Sequence, residues 1–351
     1  MTFLDRGQPR RIGPAPAVPA RRGRHRRQGA PRPRRRPPTG RRSWRSAAAL
    51  AAIVIAVAAT LVGRAACSAS VSSAFSAPFA TNSPWRQTIP PNPVIDPNST
   101  AMTAFAQSTR ALYANLVEFG IPVYKVTPDM PAHAVTCTED GWGVCPFAGW
   151  PVLIPPDAAP HSGSDGAMIT VDEATSTIFE FWRATRDGDR WSAQWGAVNS
   201  LQGSGWGGSG TGSGSSRLAG VIRVAEIDAG DIPHALALQT NNACTTFRPP
   251  ALKSDGTSTR ADCIPEGARL QLDPALDLSK LGLTRGELAV ARAMQIYGGY
   301  VMDVGGTPLS VSFELDTSAP AGTLGKVYKA AGFRWDYDSM EHVPWEKLRV
   351  L

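Results

Sequence analysis

The sequence predicts a mostly β protein, an antiparallel β-sandwich of jelly-roll or lectin-like type with a few peripheral helices. Three observations point there. Segments of strand length alternate or run apolar: MITVDE (168–173), TIFEFWRAT (177–185), RWSAQWGAV (190–198), HALALQT (234–240) and ARLQLD (268–273). Gly, Pro and Asp punctuate them. Only two helical patterns occur, and they do not alternate with strands as βαβ units would.

Residues 1–46 hold fifteen arginines and one acid, Asp5, in a Pro/Arg/Gly-rich tail with little to bury, which predicts a disordered cytoplasmic segment. The formal charge of +7 therefore misleads. Without these arginines and Arg64, 20 basic residues (36 − 16) face 28 acids (29 − 1), a net of −8. An acidic folded part argues against a nucleic-acid partner, which would need clustered Lys and Arg.

Residues 47–66 form an apolar segment whose first seventeen positions, Ala47–Gly63, carry no charge. That length and the flanking charge predict a signal-anchor with the domain outside, or a signal peptide that is cleaved. The first makes a single-pass membrane protein with an extracellular C-terminal domain; the second makes a secreted one. Residues 67–99, rich in Ser, Ala, Pro and Asn, read as a linker, and 100–351 as a single sandwich domain.

Cys67 lies at the apolar segment, leaving Cys137, Cys145, Cys244 and Cys263. Four cysteines allow three pairings. The local one, Cys137–Cys145 and Cys244–Cys263, closes two short loops and is favoured. Spacings other than CxxC and the scarcity of histidine argue against zinc, and no metal or cofactor is expected. The run GSGWGGSGTGSGSS (203–216) lacks the closing GK[ST] of a phosphate loop and reads as a flexible connection.

Within the domain, a first helix is predicted from an Asn98 or Ser99 cap through Phe105, Leu112, Leu116 and Phe119 to Gly120. A second starts at Thr284, with Glu287 at capping-box spacing and a stripe of Val290, Met294, Tyr297 and Val301.

Some polar residues are out of place in such a core. Parity along TIFEFWRAT puts Glu180 on a face with Ile178 and Trp182, where apolar neighbours raise a carboxyl pKa and suit a general acid. His234 opens the strand carrying Leu236 and Leu238, which places it at a sheet rim as a base or ligand donor. Asp165 and Asp303 sit at turns beside strands. Trp182, Trp191 and Trp195 fall on adjacent strands and could stack on sugar rings, Tyr297 could donate to a hydroxyl, and Arg223 could neutralise a uronate.

The stretches SPWRQTIP (83–90), PVYKVTPDMP (122–131), GSDGAMITVD (163–172), SRLAGVIRVAEIDAGDIPHAL (216–236), IPEGARLQLDP (264–274), ARAMQIYGGYVMDVGG (291–306) and VPWEKLRVL (343–351), in this order, resemble a family of exported, mainly actinobacterial proteins. The resemblance covers 83–351 and brings no reaction with it. The family pattern has histidine at the position of Ala167, making Asp-x-His on one strand face. It implies a polar cluster of Asp165, position 167, Glu180, His234 and Asp303 at one end of the sandwich. This chain would be impaired there if that histidine serves metal binding or proton transfer.

Together these features predict an exported protein acting on polysaccharide through acid–base chemistry, as a hydrolase or lyase would. Two other readings stand beside it: a lectin-like module that binds cell-envelope glycan without cleaving it, and a structural envelope protein.

Overall fold

The computed structural model describes residues 77–208 and 210–351. The arginine-rich tail, the apolar segment 47–66 and Cys67 lie outside the described residues. Among the described residues no helix is long and apolar enough to cross a membrane.

The described residues are mostly strands, in several sheets with few helices, and no sheet among them closes into a barrel. The ten strands of the two largest sheets are β1 (Tyr113–Asn115), β2 (Val123–Val126), β3 (Met168–Asp172), β4 (Thr177–Trp182), β5 (Trp195–Ser200), β6 (Leu236–Thr240), β7 (Arg269–Leu272), β8 (Gly299–Val304), β9 (Ser310–Ser312) and β10 (Leu348–Val350). The larger sheet has the order β1-β9-β6-β8-β7-β10, and the smaller β5-β4-β3-β2.

The pairing is more mixed than the antiparallel sandwich expected. β1 runs parallel to β9, β6 to β8, and β2 to β3. A parallel pair needs a long crossover, and each of these three is separated by a connection far longer than a hairpin. Period-two patterning reveals a strand but says nothing of its partner's direction.

The alternation sorts side chains into three clusters. Leu236, Leu238, Leu270, Leu272 and Val301 leave the larger sheet toward Val290 and Met294. These two lie on α3 (Arg285–Ile296), the longest of the four α-helices among the described residues, α1 (Ser99–Ala106), α2 (Val224–Ala229), α3 and α4 (Lys326–Ala330). Ala237, Tyr300 and Met302 leave the opposite face and share a second cluster with Ile169, Val171 and Ile178 of the smaller sheet. Met168, Phe179 and Phe181 point the other way, onto Phe147, Ile154 and Trp191. The smaller sheet is therefore covered on both sides, which is why β3 and β4 are buried nearly throughout.

Three boundaries differ from the expected ones. α1 ends at Ala106, because Arg110 takes φ +52° and the chain then enters β1; Leu112 and Leu116 are buried outside any helix. The linker assigned to 67–99 already belongs to the fold from Ala77 onward, since Trp85 is 1% exposed and packs in the second cluster. α3 keeps its capping box, with Thr284 accepting from the Glu287 N–H and Glu287 accepting from the Thr284 N–H at 2.8 Å. It stops at Ile296, and Gly298 at φ +66° turns the chain so that Val301 lies on a strand.

Two disulfides join Cys137–Cys145 and Cys244–Cys263, as fits an extracellular or exported protein. The second spans a sequence separation of 19, for which loop-closure entropy gives about 3 kcal/mol. Replacing both Cys244 and Cys263 by Ser should lower the unfolding free energy by that order in a urea titration; an unchanged midpoint would show that other contacts already hold this loop.

Candidate functional site

The polar residues meet beside the first end of β3 and not at that of β6, where His234 lies. They meet on a cleft of about 390 Å³ whose walls include Asp165, Glu180, Trp182, Trp195 and Asp303. A neighbouring hollow of about 440 Å³ shares Asp165, Arg217 and Asp303 with it and adds His161.

Glu180 lies on β4 with the parity expected, on the side of Ile178. It is 1% exposed and fully occupied. It accepts hydrogen bonds from the Asn199 amide at 3.1 Å, from the Arg217 backbone N–H at 2.9 Å and from the Ser216 hydroxyl. Burial pushes its carboxyl above the ordinary glutamate value, and these three donors oppose the rise without cancelling it. Two of the donors end the glycine-rich run 203–216, so Glu180 clamps that run to the smaller sheet.

This clamp explains the composition of the run, which is not a free connection. Thr211, Ser213, Ser215 and Ser216 are buried. A Cβ on Gly210 would collide with the Glu180 carboxylate, and one on Gly212 with the Asp255 carboxylate. Glycine here lets backbone approach charged groups closely.

Arg217, which sequence reasoning passed over, then occupies the centre. Its guanidinium donates to the Gly210 carbonyl at 2.8 Å and stands 3.9 Å from Asp303. Asp303, on β8, also accepts from the Gly212 N–H at 3.2 Å. Burial raises its carboxyl to about 7, with Arg217 opposing and the neighbouring Asp255 and Asp165 reinforcing.

Two further acids complete the group. Asp255 is exposed and lines the cleft with Lys253, both carried on the loop that Cys244–Cys263 closes. Glu266 is 0% exposed on a short strand, Ile264–Glu266, and neither of its carboxylate oxygens meets a donor. Burial, followed by the Asp255 and Asp303 carboxyls, pushes it up to about 10. Asp255 can hydrogen-bond to it only when one of the two carries a proton. The signal for Glu266 was present in IPEGAR, an acid flanked by buried strand positions; Asp255, in a Lys-Ser-Asp-Gly turn, resembled any surface loop.

The mouth of the cleft is aromatic. Trp142 is 57% exposed, stacks on Trp182 with ring centres 5.7 Å apart and planes 14° from parallel, and meets Trp195 edge-on. It rides on the loop closed by Cys137–Cys145. The Trp182 indole N–H donates to Asp165 at 3.2 Å, tying the aromatic patch to the acidic one.

Four residues expected here are elsewhere. His234 lines a separate small pocket with Trp85 and Glu226; its Nε2 lies 3.1 Å from the Glu226 carboxylate and its Nδ1 2.9 Å from the Ala235 carbonyl. Burial lowers its pKa, but Glu226 outweighs that and the net shift is upward. Arg223 is bound at both ends of its fork to Glu314, at 3.0 and 3.1 Å. Trp191 is 2% exposed inside the third cluster. Tyr297 caps α3 and packs against the second cluster. Strand parity predicts a face but not which end of a sheet a residue reaches, and His234 emerges beside α2.

Comparison with known protein families, with curated proteins and with solved structures gives no match.

Two outcomes test this geometry. Glu180→Ala strands three donors, each costing about 1–3 kcal/mol when buried and unpaired. Stability should fall by about 3 kcal/mol or more in denaturant titration, with faster hydrogen exchange at the Arg217 amide; unaltered exchange would disprove the clamp. His161 is 4% exposed, accepts from the Gly163 N–H, and is held down at about 4 by burial and then by Arg217. The unfolded chain, titrating near 6.5, binds the extra proton first, so stability should drop as pH falls from that value towards 4, by about 3 kcal/mol. In His161→Gln, measured over the same range, this part of the slope should vanish.

Proposed function

We propose that this is an exported saccharide-binding protein that holds polysaccharide or cell-envelope glycan in the Trp142–Asp303 cleft, in the manner of a lectin. The observation that carries the reading is the pairing of an exposed indole with hydrogen-bonding charged groups across one opening. Trp142 offers a flat apolar face to the C–H face of a sugar ring. Asp165 and Asp303 accept from hydroxyls, and Arg217 and Lys253 donate to them or to an acidic sugar. A cleft of about 390 Å³ is within the usual range for small-ligand sites, about 300–1,000 Å³. Export is supported by the two disulfides and by the apolar run at 47–66, which serves as a signal-anchor or a cleaved signal.

Binding is favoured over cleavage because, although Asp165, Glu180 and Asp303 share the cleft, His234 is not with them. Glu180 is saturated with donors, and His234 lies in another pocket with Glu226 as its partner. No proton relay joins them. The other cleft acids, Asp165, Asp255 and Asp303, are close enough for the first two to raise the carboxyl of the third.

The test is retention of the protein on a panel of insoluble bacterial and plant polysaccharides, with soluble oligosaccharides titrated against tryptophan fluorescence. At least one glycan class should be retained, without new reducing or unsaturated ends. Trp142→Ala should weaken that binding about tenfold, the loss of roughly 1.4 kcal/mol expected for one aromatic stacking contact. Affinity unchanged by this substitution would remove the cleft from the reading, and cleavage products lost in Asp303→Asn would replace binding by catalysis.

A further inference from the structure

We propose that Asp255, Glu266 and Asp303 form a binding site for a divalent cation of the calcium type, beneath the cleft. One carboxylate oxygen from each lies within 4.8 Å of the others. Two oxygens on opposite sides of an ion about 2.4 Å from each would span that distance. Asp255 and Asp303 line the cleft, and Glu266 reaches the group from behind.

Clustered acids alone would not carry this, since exposed carboxylates gather on many surfaces without an ion. Glu266 supplies the second observation. It is 0% exposed, and both of its side-chain oxygens are without a donor. Leaving a buried carboxylate unpaired is expensive. Other buried acids in the protein are provided for. Glu180 has three donors; Asp338 accepts from the Arg334 and Met340 N–H groups; Glu287 accepts from the Thr284 and His342 N–H groups. A proton shared with Asp255 would engage one Glu266 oxygen and leave the other bare. A cation can engage both.

The nearby basic groups do not fill this role. Arg217 is committed to the Gly210 carbonyl and lies 3.9 Å from Asp303, and no basic side chain hydrogen-bonds to Glu266. Asp303 accepts from Gly212 through Oδ1, while its Oδ2 faces Arg217 at a distance too long for a hydrogen bond. The donor set is three carboxylates with no histidine or thiolate, which selects a hard cation over zinc or copper. Calcium accepts six to eight oxygens in irregular geometry, whereas magnesium demands a near-ideal octahedron that three acids on unrelated segments are not built to supply. Remaining coordination positions would be filled by water or by oxygens in the cleft.

This inference does not depend on the saccharide reading, and its test uses calcium chloride alone. The full chain is stripped with chelator and titrated calorimetrically while the thermal midpoint is followed. Saturable binding of one ion is expected, in the range of about 10⁻⁴–10⁻³ M typical of extracellular modules, with a midpoint that rises as calcium is added. Magnesium chloride should raise it less. Asp255→Asn, at an exposed position that does not endanger folding, should weaken calcium binding at least tenfold, and Glu266→Gln should abolish the calcium-dependent rise whatever it does to the metal-free midpoint. No heat and no shift at about 10 mM calcium, well above that range, would overturn the proposal. So would calcium binding that both variants retain.

Discussion

The cleft exists because one buried carboxylate has nowhere to go except the glycine-rich run. Glu180 sits on the central strand of a sheet covered on both faces, where an unpaired acid would destabilise the fold by several kcal/mol. Its donors come from Asn199 on the adjacent strand and from Ser216 and Arg217 at the end of the run. Satisfying Glu180 therefore fixes the run over the sheet and aims Arg217 at Asp303. The raised pKa that suggests a catalytic acid arises here from burial of a structural one.

The same economy appears in the disulfides. Each closes a loop that contributes one side of the cleft: Cys137–Cys145 holds the loop with Trp142, and Cys244–Cys263 the loop with Lys253 and Asp255. The sheets supply Trp182, Trp195 and Asp303, and the cross-linked loops supply the residues that face them. If the cleft binds glycan as proposed, loops cross-linked in this way would keep its side chains pre-set and limit the entropy lost on binding.

Much of the local structure was legible in the sequence, and much of the assembly was not. The capping box of α3, the strands at 168–172 and 177–182, the parity of Glu180 and the local cysteine pairing all follow from spacing within a few residues. Asp165, Glu180, Trp182, Trp195 and Asp303 do come to one cleft. His234, Arg223, Trp191 and Tyr297 do not, because their destinations depend on which strands pair and in which direction. Leu112 and Leu116 mimic a helical stripe since i and i+4 apolar residues also serve an irregular segment beneath a sheet. The glycine run misled most. Low complexity reads as flexibility, yet at Gly210 and Gly212 a carboxylate stands where a side chain would.

Charge explains why such residues gather at one place. Asp165, Asp255, Glu266 and Asp303 against Arg217 and Lys253 leave an excess of two negative charges if all ionise, with Glu266 shut off from water. Like charges in low dielectric either take up protons or recruit a counter-ion. The upward shifts of Asp303 and Glu266 are the first response. A core that merely needed filling would be more stable with apolar residues at 266 and 303. Acids at these two positions beside an aromatic mouth suit the electropositive or hydroxyl-rich ligands proposed, and packing alone gives no reason for them.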